Sequence, residues 1–217
     1  MKALSLLLAV AGTLGAFTAN SGTIEGLESY GDLTLVDSID CATDEGAHIF
    51  HESPQGGSSI AEILGSKCRV MAHADGTASY FSYRLGKGKG LKPGDMYLLV
   101  VEYPDDLPRT ATLLNRAMDS RNGFHTGRTV GDTLNAHIIP QTHCESWDVP
   151  LSGEYKRIEQ LMVLNENVYP HDSTDGKKFL KSATDGFDVI FHLFQKSDAP
   201  DSAGVAIRAI RLYHVDD

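Results

Sequence analysis

Basic residues are scarce in this chain, with 19 lysines and arginines against 29 aspartates and glutamates. The formal net charge of -10 excludes the broad basic face with which a nucleic-acid binder displaces counterions from phosphates; acidity of this size mainly favours solubility. Only three cysteines are present, too few for a dense disulfide scaffold. Beyond the first residues there is no apolar run near the roughly 20 residues that span a bilayer, so no membrane span is expected. Gly-x-Ser-x-Gly is absent, which leaves a serine esterase unsupported. Lys87-Gly88-Lys89-Gly90 lacks the spacing of a phosphate loop and reads as a turn. No internal repeat and no low-complexity stretch divides the chain.

What is present begins with a leader. Met1-Lys2-Ala3-Leu4-Ser5, continuing to Leu14, places one positive charge ahead of a short run of small and apolar residues, the pattern of a signal peptide; the competing reading is a buried N-terminal helix. Thr13/Gly15, Ala16/Thr18 and Phe17/Ala19 compete as small-residue pairs, so cleavage is placed between residues 15 and 19. The expected organisation is a signal peptide over 1–19, a lead-in over 20–35 and one domain over 36–217, secreted or periplasmic and monomeric. About 200 residues suit one large all-β domain. In an exported chain three cysteines leave one unpaired. Cys41 and Cys68 flank a loop-rich segment and are the candidate disulfide, worth ~3 kcal/mol in the chain-entropy account, with Cys144 then free; the competing reading is three buried, reduced thiols.

Alternating patterns dominate the mature sequence and mark strands with one buried face. Residues 77–85 place Ser79, Phe81, Tyr83 and Leu85 on one side, and residues 96–103 are apolar apart from Glu102, as in a strand covered on both faces. Segments 109–114, 134–139, 158–164, 187–195 and 205–215 continue the series. Turn chemistry separates them, at Lys92-Pro93-Gly94-Asp95, Pro104-Asp105-Asp106, Ser152-Gly153-Glu154, Asp175-Gly176 and Asp185-Gly186. Only 59–64 reads as a short helix, capped by Ser58 or Ser59 and stopped by Gly65. About ten strands, minimal helix and no βαβ alternation predict an all-β, two-layer antiparallel β-sandwich of the jelly-roll kind. Two long connections, 116–132 and 165–185, stand out as functional loops.

Tyr83-Arg84-Leu85-Gly86 followed by Leu91-Lys92-Pro93-Gly94-Asp95-Met96-Tyr97-Leu98-Leu99-Val100 resembles the strand, turn, strand unit of galactose-binding-like jelly rolls, shared by many carbohydrate-binding modules. Ala206-Ile207-Arg208-Ala209-Ile210-Arg211-Leu212-Tyr213 resembles their closing strand. Glu102-Tyr103-Pro104-Asp105-Asp106, Asn115-Arg116, Gly123-Phe124-His125-Thr126-Gly127, Gly131-Asp132 and Pro150-Leu151-Ser152-Gly153-Glu154-Tyr155 resemble a domain of large secreted bacterial proteins assigned as glycosyl hydrolases. The likeness runs over about 36–215. It implies an accessory sandwich of the sort that sits beside a separate catalytic barrel, with a polysaccharide or oligosaccharide as partner.

The residues suited to sugar recognition are planar polar groups for vicinal hydroxyls and an apolar ring face. Asn115, Arg116, Asp119, Arg121, Asn122, Phe124 and His125 provide both within one stretch, and Trp147, the only tryptophan, is a candidate stacking platform. The bland alternatives are that Asn115 and Arg116 satisfy loop backbone or pair with Asp119, and that Phe124 and Trp147 pack inward. Among metals, His48, His51 and Glu52, or His137, His143 and Glu145, form no zincin motif. Calcium is the better candidate, with Asp37, Asp40, Asp44 and Glu45 near the domain start and Asp216 and Asp217 at its end; the competing reading is a solvated acidic surface. No other cofactor is expected. A glycosidase needs two carboxylates about 5 to 10 Å apart across a cleft, and Glu102, Glu154, Glu159 and Asp188 show no such pairing on one strand. A lyase needs a proton-abstracting group beside one that neutralises a uronate, for which His125, Arg121 and Tyr155 can be nominated. The sequence therefore reads as a secreted, non-catalytic carbohydrate-binding or accessory module. The alternatives are a polysaccharide lyase or glycoside hydrolase and, third, an extracellular protein-binding or structural domain.

Overall fold

The computed structural model describes residues 21–44, 46–126, 150–168, 181–198 and 201–216. The strands run, in chain order, β1 (Ser21–Gly22), β2 (Leu33–Asp40), β3 (Phe50–Ser53), β4 (Ser58–Ile63), β5 (Ser66–Met71), β6 (Ser79–Leu85), β7 (Met96–Pro104), β8 (Arg109–Asn115) and β9 (Ser120–Thr126). They continue with β10 (Tyr155–Val163), β11 (Asn167–Val168), β12 (Lys181–Ser182), β13 (Phe187–Leu193), β14 (Val205–Ile207) and β15 (Ala209–Val215). One five-stranded sheet has the order β1-β2-β15-β7-β10 and a second the order β3-β6-β13-β8-β9, with a three-stranded sheet β14-β5-β4 beside them. All the pairings are antiparallel. The expected all-β sandwich is what forms. No helix among the described residues is long and apolar enough to cross a membrane.

The core is the space between the two large sheets. Leu99, Val101, Ile210 and Leu212 of the first face Phe81, Tyr83, Leu113, Val189 and Phe191 of the second, all essentially buried. Aromatic and β-branched residues suit such pleated surfaces, and the alternation of β6 delivers Ser79, Phe81, Tyr83 and Leu85 to the inside. Strand β7 is buried on both faces for a different reason. Leu98 and Val100 point away from the main core, and the lead-in covers them, with Leu27 (1% exposed), Ile24 and Tyr30 packing there beside Leu33, Tyr213 and Val215. Tyr30 Oη donates to Glu159 at 3.0 Å, and Arg157 reaches the carbonyls of Glu25 and Gly26.

A bulge in β2 sets up the region of interest. Leu35 lies opposite Tyr213 but Asp37 lies opposite Leu212, so Val36 is the extra residue. An inserted residue turns two neighbours to one side. Val36 and Asp37 therefore both face inward, while Leu33 stays on the outer face with the lead-in.

Three expectations are corrected. Residues 59–64 are not helical. Residues 59–63 belong to β4, paired with β5 from Ser58↔Met71 to Ile63↔Ser66, and Leu64 and Gly65 both take positive φ, at 47° and 77°, as a tight hairpin turn requires. Long-range sheet pairing overrides the local cap pattern, and Ser58 is used otherwise, its N–H and hydroxyl donating to Glu52. The first part of the 116–132 loop is also a strand: after a turn at 116–119, β9 pairs with β8 from Asn115↔Ser120 to Arg109↔Thr126. Its polar residues suit a sheet edge. Finally, Cys41 and Cys68 are separate buried thiols rather than a disulfide. The Cys68 Sγ faces Tyr155 Oη at 3.3 Å, and burial pushes both thiols up, away from thiolate formation.

The leader at 1–19, the segment 134–139, the turn at 175–176, Glu45, His137, His143, Cys144, Glu145, Trp147 and Asp217 lie outside the described residues.

Candidate functional site

A cavity of about 360 Å3 opens where β2 of the first sheet meets the end of β6 in the second; Asp37, Ala47, His48, Arg84, Lys87 and Lys89 line it, with Gly46 and Ile49. Each side chain has a separate structural origin. The bulge turns Asp37 inward from β2. His48 and Ala47 come from the connection to β3, Arg84 from β6, and the lysines from the turn at 87–90 that follows it.

Asp37 is 4% exposed, a costly place for a carboxylate unless it is surrounded by donors. Those donors are present: Gly86 N–H at 2.7 Å, Ser38 N–H at 3.1 Å and His48 Nε2 at 3.1 Å. The Lys89 ammonium stands 3.7 Å away. Gly86 has φ of 75°, and a Cβ there would run into the Leu91 side chain, so only glycine presents this N–H without strain. His48 also contacts Asp44 through Nδ1 at 2.7 Å. Burial opposes charge on the imidazole, yet hydrogen bonds to Asp44 and Asp37 outweigh it and raise the His48 pKa. Arg84 grips Asp188 with two parallel bonds of 3.1 Å, the fork geometry that makes such pairs strong. The cavity wall thus carries one fixed carboxylate, Asp37, among four basic side chains, His48, Arg84, Lys87 and Lys89.

Of the calcium candidates, Asp37 is taken up by these donors, Asp40 accepts the Ala42 N–H at 2.9 Å, and Asp216 accepts from Thr34 at 2.7 Å and contacts His214 at 2.8 Å. No group of three or more metal-binding side chains occurs among the described residues.

The residues expected to contact sugar separate. Asn115 is fully buried, its amide donating to Gln160 and Met162 and its carbonyl accepting the Ala117 N–H. Arg116 pairs with Asp119 at 2.6 Å. Arg121 and Asn122 are exposed on β9, which also carries Phe124 and His125. The turn at 116–119 lies at the same end of the second sheet as Arg84, since Arg116 N–H bonds the Asp188 carbonyl at 3.0 Å.

Of the acids and bases nominated for catalysis, Glu102, Glu159, Asp188 and Tyr155 are held in structural contacts. Glu102 pairs with Arg208 and Arg211, Glu159 accepts from Tyr30, and Tyr155 Oη donates to the Ile63 carbonyl at 2.6 Å. The motif residues around Asp105 are also structural: Asp105 accepts from Ser152 N–H and Oγ and from Lys156 Nζ at 2.9, 2.7 and 2.7 Å, joining the turn after β7 to the start of β10.

Sequence reasoning weighed Asp37 and His48 only as metal ligands, and Lys87 and Lys89 only as turn residues. The available signal was one carboxylate at the centre of the apolar strand 33–40, followed eleven residues later by a histidine. No protein-family model matches the sequence, and no curated protein matches it. Among solved structures the chain is similar to carbohydrate-binding modules: BiXyn10A CBM1 in its apo form (12% identity over 83% of this chain and 98% of that one, TM-score 0.40), a family 35 module from Clostridium thermocellum (11%, 81% and 97%, TM-score 0.38), and a family 11 module from the same organism in complex with a β-1,3-1,4-mixed-linked tetrasaccharide (7%, 82% and 91%, TM-score 0.33).

Proposed function

We propose that the chain is a secreted, non-catalytic carbohydrate-binding module, acting as a monomer, that holds a sugar in the cavity between β2 and the turn at 87–90. The observation that carries this reading is the construction of the cavity. Three of its polar groups, Asp37, His48 and Arg84, are fixed before any ligand arrives, by the bulge, by the Gly86 N–H, by the two-sided anchoring of His48 and by the bonds to Asp188. Groups already ordered lose little entropy on binding, and a cavity of this volume falls within the usual range for small-molecule sites. A hydrolase is less well supported, because Asp37 and Asp44 both hold His48 and Asp188 holds Arg84, which leaves these acids committed rather than poised across a cleft. A longer glycan leaving the cavity along the second sheet would meet the turn at 116–119 and then Arg121 and Asn122.

The test is affinity electrophoresis of the purified protein in gels carrying neutral or acidic polysaccharides, with assay of reducing and unsaturated ends in the same samples. Retention without product is expected, lost in Ala47→Trp, which fills the cavity from an exposed position, and weakened in Arg121→Ala. Product release, or retention indifferent to Ala47→Trp, would sink the proposal.

A further inference from the structure

We infer that the cavity selects an anionic sugar, one bearing a carboxylate or a sulfate ester; this rests on the reading of the cavity as a glycan site. Among the charged side chains of the lining, those not already held by a hydrogen bond to a carboxylate are donors, Lys87 and Lys89. Both Asp37 oxygens already accept hydrogen bonds from the protein, and both Asp188 oxygens accept from Arg84. These carboxylates are spent inward. Lys87, by contrast, is exposed and has no ion-pair partner among the described residues. Lys89 is about half exposed, and its 3.7 Å separation from Asp37 exceeds a hydrogen bond, so its three N–H groups keep their capacity. An ammonium donates and cannot accept. Neutral sugars present hydroxyls that both donate and accept, and they are best matched by mixed walls. Two ammonium groups carried on one turn of the lining match a ligand atom set that only accepts, which is what a carboxylate or sulfate offers.

The turn supports this by its shape. Lys89 N–H bonds the Gly86 carbonyl at 3.1 Å, closing a tight loop, and Gly86, Gly88 and Gly90 all take positive φ between 72° and 75°. The two lysines, separated by one glycine, are therefore carried on a turn whose base is tied to Asp37. The setting makes the preference informative. With a formal net charge of -10, the protein as a whole repels polyanions, so attraction to one has to come from a local site.

The experiment compares retention of the intact protein in gels of polygalacturonate, of a sulfated galactan and of neutral galactomannan, with Lys87→Ala/Lys89→Ala and Lys87→Arg/Lys89→Arg as variants and thermal melts as a check on folding. Retention by one or both acidic gels is expected, with the sulfated and uronate arms identifying the anion. The alanine pair should weaken it about tenfold or more, the size of one lost charge-assisted bond, while the arginine pair keeps it. Retention by neutral galactomannan that the alanine pair leaves unchanged would overturn the anion selectivity and leave the glycan-site reading standing. Failure of every glycan to retain the protein would overturn both.

Discussion

Asp37→Ala removes the group around which the cavity is assembled, and its cost can be worked from the contacts. The carboxylate receives two backbone N–H bonds and one imidazole bond at a position 4% exposed. Hydrogen bonds to a charged group are worth about 1.5 to 3 kcal/mol each. Removing one partner of a buried ion pair costs about 3 to 5 kcal/mol, because the remaining charge loses its compensation. These ranges overlap rather than add, since His48 appears in both. Lys89, about half exposed, adds little. The expected loss is about 3 to 5 kcal/mol, which in a domain of this size lowers Tm by roughly 6 to 20 °C. Asp37→Asn keeps an acceptor and loses the charge, so about half that loss is expected. Thermal and urea denaturation at pH 6 measure both variants, and a double-mutant cycle with His48→Gln should return a coupling of at least about 1 kcal/mol. A Tm within about 2 °C of wild type for Asp37→Ala, or additive effects in the cycle, would refute the idea that this carboxylate holds the region together.

The other predictions follow from the same contacts. His48 has its pKa raised above the ordinary 6.5; its contribution is fully present below that value and disappears as pH rises through the folded-state pKa. His48→Gln should therefore destabilise at pH 5.5 and converge on wild type at pH 9, and an equal gap at both pH values would contradict this. Gly86→Ala forces a side chain into a positive-φ position against Leu91 and should cost about 1 to 3 kcal/mol, seen as a lower urea midpoint together with weaker glycan retention. Leu27→Ala opens a gap over Leu98 and Val100 and should cost about 2 to 4 kcal/mol, with faster proteolysis ahead of residue 33; unchanged cleavage would show that the lead-in is not fastened there. In Asp105, burial acts to raise the pKa, but bonds from Lys156 and Ser152 lower it overall. Its stabilisation is thus present above the ordinary 3.8 and is lost as pH falls through the lower folded value. Asp105→Ala should destabilise at pH 7 but not near pH 1 to 2, as acid melts would reveal.

The strands that were legible were those whose own residues carry the signal. Phe81, Tyr83 and Leu85 in β6, Tyr97 to Val101 in β7 and Phe187 to Phe191 in β13 announce themselves through alternation or apolar runs, though not which strands they pair with. Strands β4 and β9 were hidden because their stability comes from a partner: Ser58–Ile63 has a helix-like cap and Ser120–Thr126 a loop-like composition until β5 and β8 lie alongside. The cavity was least legible. Nothing in the order of residues 33–40 states that Val36 is an extra residue opposite Leu212 and Tyr213, and without that bulge Asp37 would share a face with Leu35 and point outward. The convergence of Asp37, His48 and Lys89 is a product of three-dimensional register; along the chain it leaves only a carboxylate within 33–40 and a histidine eleven residues on, a spacing that does not say the two meet.

The closing of the sandwich also has a mechanical side. The start of β2 and the end of β15 lie side by side, with Leu33 opposite Val215, and Asp216 N–H bonds the Asp32 carbonyl at 2.9 Å. Strands β1 and β2 meet at the same place, Gly22 opposite Leu33. Tension applied between the two ends of the described chain would thus load neighbouring antiparallel strands from one shared end, so that the ladder opens like a zip, one rung after another, instead of resisting in shear. A tethered copy should yield at low force in single-molecule pulling from its ends and at higher force when gripped across β7 and β13, each of which is flanked by a hydrogen-bonded strand on both sides.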